Sequence, residues 1–151
     1  DTKHMRLDAC AQFDLVKLIG EEARLSLRSV APDVLLIPFG GGHNQDHVAV
    51  HRACFTVARP HARALKPVPP VVLGYRIPEE AWSTAPEPAP VLVDTTATLE
   101  TKLAAFKCYG TQLRPAGHPR ALEQIRRNDE ALGGQIGLGA AEAFVPYRVL
   151  L

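Results

Sequence analysis

Apolar residues recur every three or four positions between residues 14 and 30, which predicts an amphipathic helix near the start of the chain. Asp14 is its expected N-cap, and Pro32 ends it. The following segment, residues 33–38, is short, apolar and bounded by turn residues, and this pattern predicts a buried parallel strand. Three glycines then lead into a second helix, predicted over about residues 46–59.

The rest of the chain continues this alternation of short strands and helices. Strands are predicted at residues 71–75 and 91–93, and helices at residues 98–109 and 119–132. The apolar end of the chain, residues 143–151, is predicted to form a final strand or an extended tail.

A helix, a buried strand, a glycine-rich loop and a helix in this order indicate an α/β fold with its functional site at the carboxyl end of the strand. Eight of the thirteen prolines lie between Pro60 and Pro90, so residues 76–90 are predicted to form a Pro-rich surface loop that could act as a lid. The whole chain, residues 1–151, is expected to belong to a single domain.

Composition argues against several classes of function. The formal charge is +1 and no basic run extends beyond Arg126 and Arg127, so no nucleic-acid partner is expected. No stretch reaches the roughly 18 apolar residues needed to cross a bilayer, so no membrane partner is expected either. Cys10, Cys54 and Cys108 lie far apart without a CxxC pair, which favours reduced thiols in a cytoplasmic protein.

The segment Gly40–His51 concentrates candidate chemistry at the predicted strand-to-helix turn. It holds three of the six histidines together with Asn44 and Asp46. His47 lies at the start of the helix, where the helix dipole favours the neutral imidazole that can bind a metal, and Asp46 can orient a neighbouring ring or a water molecule. His51 lies one turn further on the apolar face, where a half-buried, hydrogen-bonded core histidine is the simpler interpretation.

Spacing alone leaves the chemistry of this segment open. His47 and His51 are four residues apart, as in metalloprotease helices, but Val48 and Ala49 occupy the positions where a Glu base would lie. One His with one Asp is not a closed site, because catalytic zinc usually takes three protein ligands. The alternative is a polar loop that binds a phosphate or sugar through glycine amides, or that has no chemical role.

The order of motifs along the chain resembles that of the PIG-L (LmbE-like) zinc-dependent deacetylases. Gly40–His47, after the strand at residues 33–38, is similar to the second conserved motif of that family, and Asp1–Asp8 resembles the loop before its Leu-Ile helix. Further similar segments follow in order: Val93-Asp94-Thr-Thr, Lys102-Leu-Ala-Ala-Phe with Tyr109-Gly-Thr-Gln112, His118-Pro-Arg, Gly134-Gln-x-Gly137 and Ala141-Glu-Ala-Phe144. The resemblance covers nearly the whole chain.

The resemblance implies a Rossmann-like fold with a parallel sheet, and a zinc hydrolase that removes an acetyl or other acyl group from an N-acylated amino sugar or a similar amine. It implies that His47 is one zinc ligand, and that the remaining ligands and the general base come from an N-terminal HPDD motif. Asp46 is then expected among the catalytic residues. Zinc in such a site polarises the amide carbonyl and activates water.

Two features depart from the family pattern. The chain has no HPDD motif, because its only His-Pro pair, at residues 118–119, is followed by Arg120. Asn44 stands where many members have a catalytic His. Because Asn44 can donate a hydrogen bond but cannot shuttle a proton at neutral pH, the neighbouring His43 is expected to assist it.

Because the chain lacks the HPDD motif, the family resemblance implies a fold that is incomplete at its N-terminus. Loss of the first strands of a doubly wound sheet would expose the apolar faces of residues 34–37, which favours aggregation or a partner. We therefore expect an N-terminal segment, present as a separate chain or as further residues, and self-association into a homo-oligomer is a further expected option.

Three other residues are weaker candidates for substrate binding. Tyr75 and Trp82 flank or lie in the Pro-rich loop and could stack on a sugar, although packing of the loop onto the domain is the simpler role. His118 is a candidate through the family resemblance.

Two other functions stay open at this point. One is a different metal-dependent hydrolase, such as a phosphohydrolase built on His43, Asp46, His47 and His51. The other is an inactive module that keeps the fold and uses the loop to bind a ligand or a subunit.

Overall fold

The computed structural model describes residues 6–62, 64–80 and 89–150, which form a mixed α/β fold. The chain divides into two compact units. Among the described residues, the first unit contains 6–62, 64–76, 89 and 145–150, and the second contains 77–80 and 90–144.

Three α-helices belong to the first unit: α1 (Gln12–Lys17), α2 (Leu27–Val30) and α3 (Gln45–Val57). A 3-10 turn (Leu7–Ala9) precedes α1, and a π-helical turn (Leu18–Glu22) follows it directly. The predicted second helix corresponds to α3.

The first predicted helix is broken in the structure. Ser26 is buried, and its hydroxyl accepts a hydrogen bond from the backbone N–H of Ser29 at 3.2 Å, the geometry of a helix N-cap. The cap starts α2 as a new helix instead of letting α1 continue. Asp14 lies in the first turn of α1, whose N-cap is Ala11. The predictions of one continuous helix and of an Asp14 N-cap are therefore wrong.

Two parallel strands, β1 (Val34–Pro38) and β2 (Val71–Tyr75), form the part of the sheet that bears the candidate site. They pair in register from Val34 opposite Val71 to Pro38 opposite Tyr75. The predicted strand positions and the parallel direction of β1 are confirmed. Because the strands are parallel, their carboxyl ends meet at the same edge.

The core of the first unit lies between β1, β2 and α3. Its buried members are Ile37, Cys54, Ala58 and Val72. Burial raises the pKa of the Cys54 thiol to about 11.

Burial along β1 is one-sided. Ile37 is fully buried, whereas 53% of Val34 and 49% of Leu36 are exposed. The predicted strand is therefore present, but it is not buried throughout.

The second unit contains β3 (Val91–Asp94), α4 (Leu99–Lys107) and α5 (Leu122–Gln135). Its core consists of Leu99, Leu103, Ile125 and Ala140. The predicted strand and the two predicted helices are confirmed, with ends that differ by up to three residues.

The last strand, β4 (Ala141–Val149), passes from the second unit into the first. It pairs antiparallel with β3, where Asp94 faces Ala141, and antiparallel with β2, where Val71 faces Val149. The strand order is β1-β2-β4-β3. The predicted parallel arrangement therefore holds for β1 and β2, and the sheet as a whole is mixed.

A hydroxyl group contacts the backbone at the start of β4. The Thr96 hydroxyl accepts hydrogen bonds from the backbone N–H groups of Gly139 and Ala140, both at 3.1 Å. Thr96 lies just after the end of β3, so this contact holds the start of β4 beside the end of β3. The strand then runs back along β3, which makes the pair antiparallel.

Several segments that carry the family resemblance have structural contacts in the second unit. Asp94 accepts a hydrogen bond from the backbone N–H of Thr96 at 2.9 Å. Hydrogen bonding to the Thr96 side chain, and to a smaller extent to this backbone group, lowers the pKa of Asp94. Lys102 forms ion pairs with Asp129, at 2.6 Å, and with Glu142. These side chains connect α4, α5 and β4 to one another.

No helix among the described residues has both the length and the apolar character to cross a membrane. Most of the predicted Pro-rich loop, including Trp82, lies outside the described residues.

Candidate functional site

The candidate site lies where β1 and β2 end. The hydrogen bonding between β1 and β2 continues one residue beyond β1, because the backbone N–H of Phe39 donates to the carbonyl of Tyr75 at 2.9 Å. The glycine-rich loop, residues 40–42, starts from this edge and leads into α3. The geometry therefore places the loop at the carboxyl end of two parallel strands, as the sequence predicts.

Asn44 determines where α3 starts. Its side-chain Oδ1 accepts a hydrogen bond from the backbone N–H of His47 at 3.2 Å, which makes it the N-cap. Asp46 and His47 consequently lie in the first turn of the helix, where unpaired N–H groups and the helix dipole favour negative charge.

The Asn44 cap is expected to contribute measurably to stability. Asn44→Ala is expected to lower the free energy of unfolding by about 1 kcal/mol, because one N–H at the start of α3 loses its partner. Asn44→Asp keeps an acceptor at the same place and is expected to stay within about 0.5 kcal/mol of the parent chain. Urea unfolding monitored by circular dichroism measures both. Equal losses in the two variants would show that Asn44 does not act as a cap.

His47 is half-buried and faces β2. Its ring lies edge-on to the ring of Tyr75, with 6.4 Å between centroids and 72° between planes. Tyr75 is the last residue of β2, so the imidazole lies at the carboxyl edge of the sheet. Tyr75, one of the residues predicted to contact substrate, therefore lies next to His47.

Asp46 connects the start of α3 to the N-terminal 3-10 turn. Its Oδ1 accepts a hydrogen bond from the backbone N–H of Asp8 at 2.9 Å. The carboxylate of Asp8 is in turn bound by Arg6, with 2.7 Å between Nη2 and Oδ2, and this hydrogen bond lowers the pKa of Asp8. The hydrogen bond to Asp8 thus fixes the orientation of the Asp46 carboxylate.

The contact between Asp8 and Asp46 has no signature in the sequence. The two residues are 38 positions apart, and neither spacing nor periodicity relates them. The segment that contains Asp8 stands out in the sequence only through its resemblance to a family loop. The structure adds Asp8 and Arg6 to the surroundings of the candidate site.

His51 has a structural role. Its Nδ1 lies 2.8 Å from the carbonyl oxygen of Pro38, so Nδ1 carries the proton and donates to that carbonyl. The ring stacks on Phe55 and contacts Tyr147, with centroid distances of 5.6 and 5.3 Å. The interpretation of His51 as a half-buried, hydrogen-bonded core histidine is confirmed.

Gly40 makes room for this ring. A Cβ atom at position 40 would lie 2.5 Å from Nε2 of His51, closer than any ordinary contact. The loop can pass over the imidazole only because residue 40 has no side chain.

His43 and His118 belong to different compact units of the chain. His43 is exposed, and His118 belongs to the second unit, where its Nδ1 accepts a hydrogen bond from the backbone N–H of Arg120 at 3.0 Å. Within the described ranges, no three His, Cys, Asp or Glu side chains come together in a group that could hold a metal. The third predicted substrate contact, Trp82, lies outside those ranges.

A cation lies near the same edge of the sheet. The guanidinium of Arg76 lies 4.4 Å from the ring centroid of Phe39, which is buried. Both residues directly follow a strand, so this cation–π contact places a positive group at the carboxyl edge. In the sequence Arg76, like Tyr75, flanks the Pro-rich loop and is a weak candidate to hydrogen-bond a sugar, with packing of the loop as the simpler role.

The residues present fit a zinc ion in part. His47 offers an imidazole nitrogen, a preferred zinc ligand, and Asp46 offers a carboxylate oriented by its bond to Asp8. Together they provide fewer than the three protein ligands that a catalytic zinc site usually has. A complete site would need donors from outside the described residues.

The fold and this edge define an α/β protein with a polar loop at the carboxyl ends of its parallel strands. No family model and no curated protein sequence matches the chain. Among solved structures, the crystal structure of the conserved protein TT1542 from Thermus thermophilus is similar, with a TM-score of 0.68 and 21% sequence identity. The match covers 97% of this chain and 64% of that chain, so this chain spans about two thirds of the neighbour's length. At this identity the similarity shows the fold.

Proposed function

We propose that the chain is the C-terminal part of a zinc-dependent N-acyl deacetylase with a Rossmann-like fold, which acts on an N-acylated amino sugar or a similar amine. One observation supports this beyond the motif resemblance. His47 is half-buried in the first turn of α3 and reaches the carboxyl edge of β1 and β2 beside Tyr75. This is where α/β enzymes bind substrates and cofactors.

In the proposed site His47 holds the zinc ion through an imidazole nitrogen. Bound zinc supplies Lewis-acid polarisation of the substrate carbonyl and activation of water. Asp46, which precedes His47 in the first turn of α3, is a positioning residue in this proposal, because its bond to the Asp8 backbone fixes the orientation of its carboxylate. Asn44 uses Oδ1 for the helix cap, so its NH₂ group is the part that would donate to an oxyanion, with His43 nearby in sequence as a proton carrier.

The remaining donors are proposed to come from a further N-terminal segment that docks on β1. Among the described strands, β1 pairs only with β2, and Val34 and Leu36 on its outer face are about half exposed. Parallel strands are normally covered on both faces, and an edge strand with exposed apolar residues is a template for another strand. A strand added parallel to β1 would end at the same edge as His47.

The proposal includes a reducing cytoplasmic compartment. Cys10, Cys54 and Cys108 are all unpaired thiols. Cysteines of secreted proteins are usually joined in disulfides, so three separate thiols favour an environment that keeps them reduced.

The test compares zinc content and amide hydrolysis in matched histidine variants of the polypeptide encoded by the complete reading frame. His47→Ala is expected to lose zinc after dialysis, measured by plasma mass spectrometry, and to lower amine release from N-acetylated sugars by more than about 100-fold. His61→Ala is the control, because His61 is exposed and lies outside the candidate site. It is expected to match the parent protein in both measurements.

Other outcomes separate the rival functions. Zinc that stays bound in His47→Ala excludes the proposed site. Zinc binding with release of phosphate from a phosphomonoester, and without amine release, identifies a phosphohydrolase instead. A parent protein that binds no zinc and hydrolyses neither substrate is a binding module.

A further inference from the structure

A cavity of about 350 Å³ lies in the first unit at the C-terminal end of α3. Phe13, Val16, Leu27, Val57 and Leu65 give it an apolar floor. This volume lies within the range of small-molecule sites in proteins. Val57 follows His47 by ten residues, which corresponds to about 15 Å along the helix, so the cavity is separate from the candidate site.

The rim of the cavity is cationic. Four basic residues and one acidic residue line the cavity. The basic residues are Lys17, Arg28, Arg59 and Lys66, and the acidic residue is Glu21. Two of the basic residues have acidic partners, because Lys17 pairs with Glu22 at 2.9 Å and Arg28 approaches Glu21 at 3.9 Å. Arg59 and Lys66 remain as the source of excess positive charge.

These two residues belong to a cluster of three cations around the last carbonyl groups of α3. Arg59 donates to the carbonyl of Thr56 at 3.0 Å. Lys66 donates to the carbonyl of Val57 at 2.8 Å, and Arg148 donates to that of Ala58 at 2.8 Å. Within the described ranges no carboxylate pairs with any of the three. Burial lowers the pKa of Lys66, and the charges of Arg59 and Arg148 lower it further.

We propose that this cavity binds an amphiphilic carboxylate, such as a medium-chain fatty acid. The acyl chain lies on the apolar floor, and the carboxylate lies at Arg59 and Lys66. Burial of the chain removes apolar surface from water, and a carboxylate offsets the repulsion among the clustered cations. An uncharged apolar ligand would leave that charge unmatched, and a small inorganic anion would leave the floor in contact with water.

Calorimetry with octanoate tests the proposal on the polypeptide encoded by the complete reading frame. Octanoate is expected to bind at least about tenfold more tightly than octylammonium, which has the same chain with the opposite charge, and than acetate, which has the charge without the chain. Equal affinity for octanoate and octylammonium would overturn the proposal, because it would show that the positive rim has no role.

Two exposed leucines provide a matched pair of variants. Leu65 lines the cavity and is 69% exposed, whereas Leu25 is 74% exposed and is not among the lining residues. Leu65→Glu is expected to weaken octanoate binding by at least about tenfold, and Leu25→Glu is expected to leave it unchanged. Equal loss or equal retention in the two variants would show that octanoate binds elsewhere.

A second lining variant covers the case in which Leu65→Glu does not fold. Phe13 also lines the cavity and is 68% exposed, so Phe13→Glu introduces the same charge from α1. It is expected to weaken octanoate binding to the same extent. Unchanged affinity in a folded Phe13→Glu protein would overturn the proposal.

Discussion

Gly133→Ala is expected to lower the free energy of unfolding of the protein by about 3 kcal/mol. Gly133 is buried in α5, and a Cβ atom there would lie 2.6 Å from Cα and 2.7 Å from N of Ala140. The neighbour is backbone, so it cannot rotate away as a flexible side chain would. Relief of the clash would move the segment that Thr96 holds at the start of β4.

The adjacent glycine provides the control. Gly134 lies in the same helix, and a Cβ atom there would meet no other atom within 4 Å. Gly134→Ala is therefore expected to raise stability by about 0.5 kcal/mol, because alanine loses less backbone entropy on forming a helix. Urea unfolding of both variants measures the difference. Losses of similar size would show that general helix effects, and not the contact with Ala140, are responsible.

Lys102→Met is expected to lower stability by about 2 kcal/mol at neutral pH. Lys102 forms ion pairs with Asp129 and Glu142, and Asp129 is 8% exposed. Methionine keeps an unbranched apolar side chain and removes the charge, which leaves two carboxylates without their cation. The expected loss is smaller than for a fully buried pair, because 33% of the Lys102 side chain is exposed to water.

The size of this loss is expected to depend on pH. Burial raises the pKa of Asp129 above its ordinary value, although Lys102 opposes this rise. Above this pKa the ionised carboxylate of Asp129 therefore lowers the free energy of unfolding. This destabilisation disappears as the pH falls through the pKa and the carboxylate is protonated. Without Lys102 the pKa rises further, so the difference between the parent chain and Lys102→Met shrinks as the pH is lowered towards about 4.

The same pair also responds at alkaline pH. Burial alone would lower the pKa of Lys102, but its bonds to Asp129 and Glu142 raise the pKa overall. The contribution of the pair is therefore complete between neutral pH and the ordinary pKa of lysine, and it is lost as the pH rises through the raised value. Unfolding curves at acidic, neutral and alkaline pH trace both limits.

An exposed ion pair is the control for Lys102→Met. Arg126 contacts Glu100 at 2.6 Å, and 76% of the Glu100 side chain is exposed. Arg126→Met is expected to change stability by less than about 1 kcal/mol at every pH. A loss as large as that of Lys102→Met would show that the measured effect comes from net charge and not from the burial of Asp129.

The candidate site is predicted in part by the sequence. Histidine, asparagine and aspartate after a glycine-rich loop indicate the start of α3, and the structure places this turn at the carboxyl edge of two parallel strands. The role of Asn44 as the cap was not predicted, although its hydrogen bond to the His47 N–H is local. The contact of Asp46 with Asp8 depends on two segments that meet only in the folded chain.

Contacts with distant parts of the chain determine the role of His51. His51 has the same residue type and the same helix as His47, but its partners are a carbonyl at the end of β1 and the ring of Tyr147, 96 positions later in the chain. Such partners have no signature in local spacing. The apolar face on which His51 lies is the only sequence signal of its core role.

By itself the sequence determined the α/β class and the positions of β1, α3, β2, β3, α4 and α5, because apolar periodicity, glycines and prolines act on their immediate neighbours. Tertiary structure alone decided two other features: the antiparallel course of β4, and the contacts of Lys102 and Asp8. Each depends on a specific polar bond, and several of these bonds join residues far apart in the chain. Such a bond forms only when the fold brings its donor and acceptor within about 3 Å of each other.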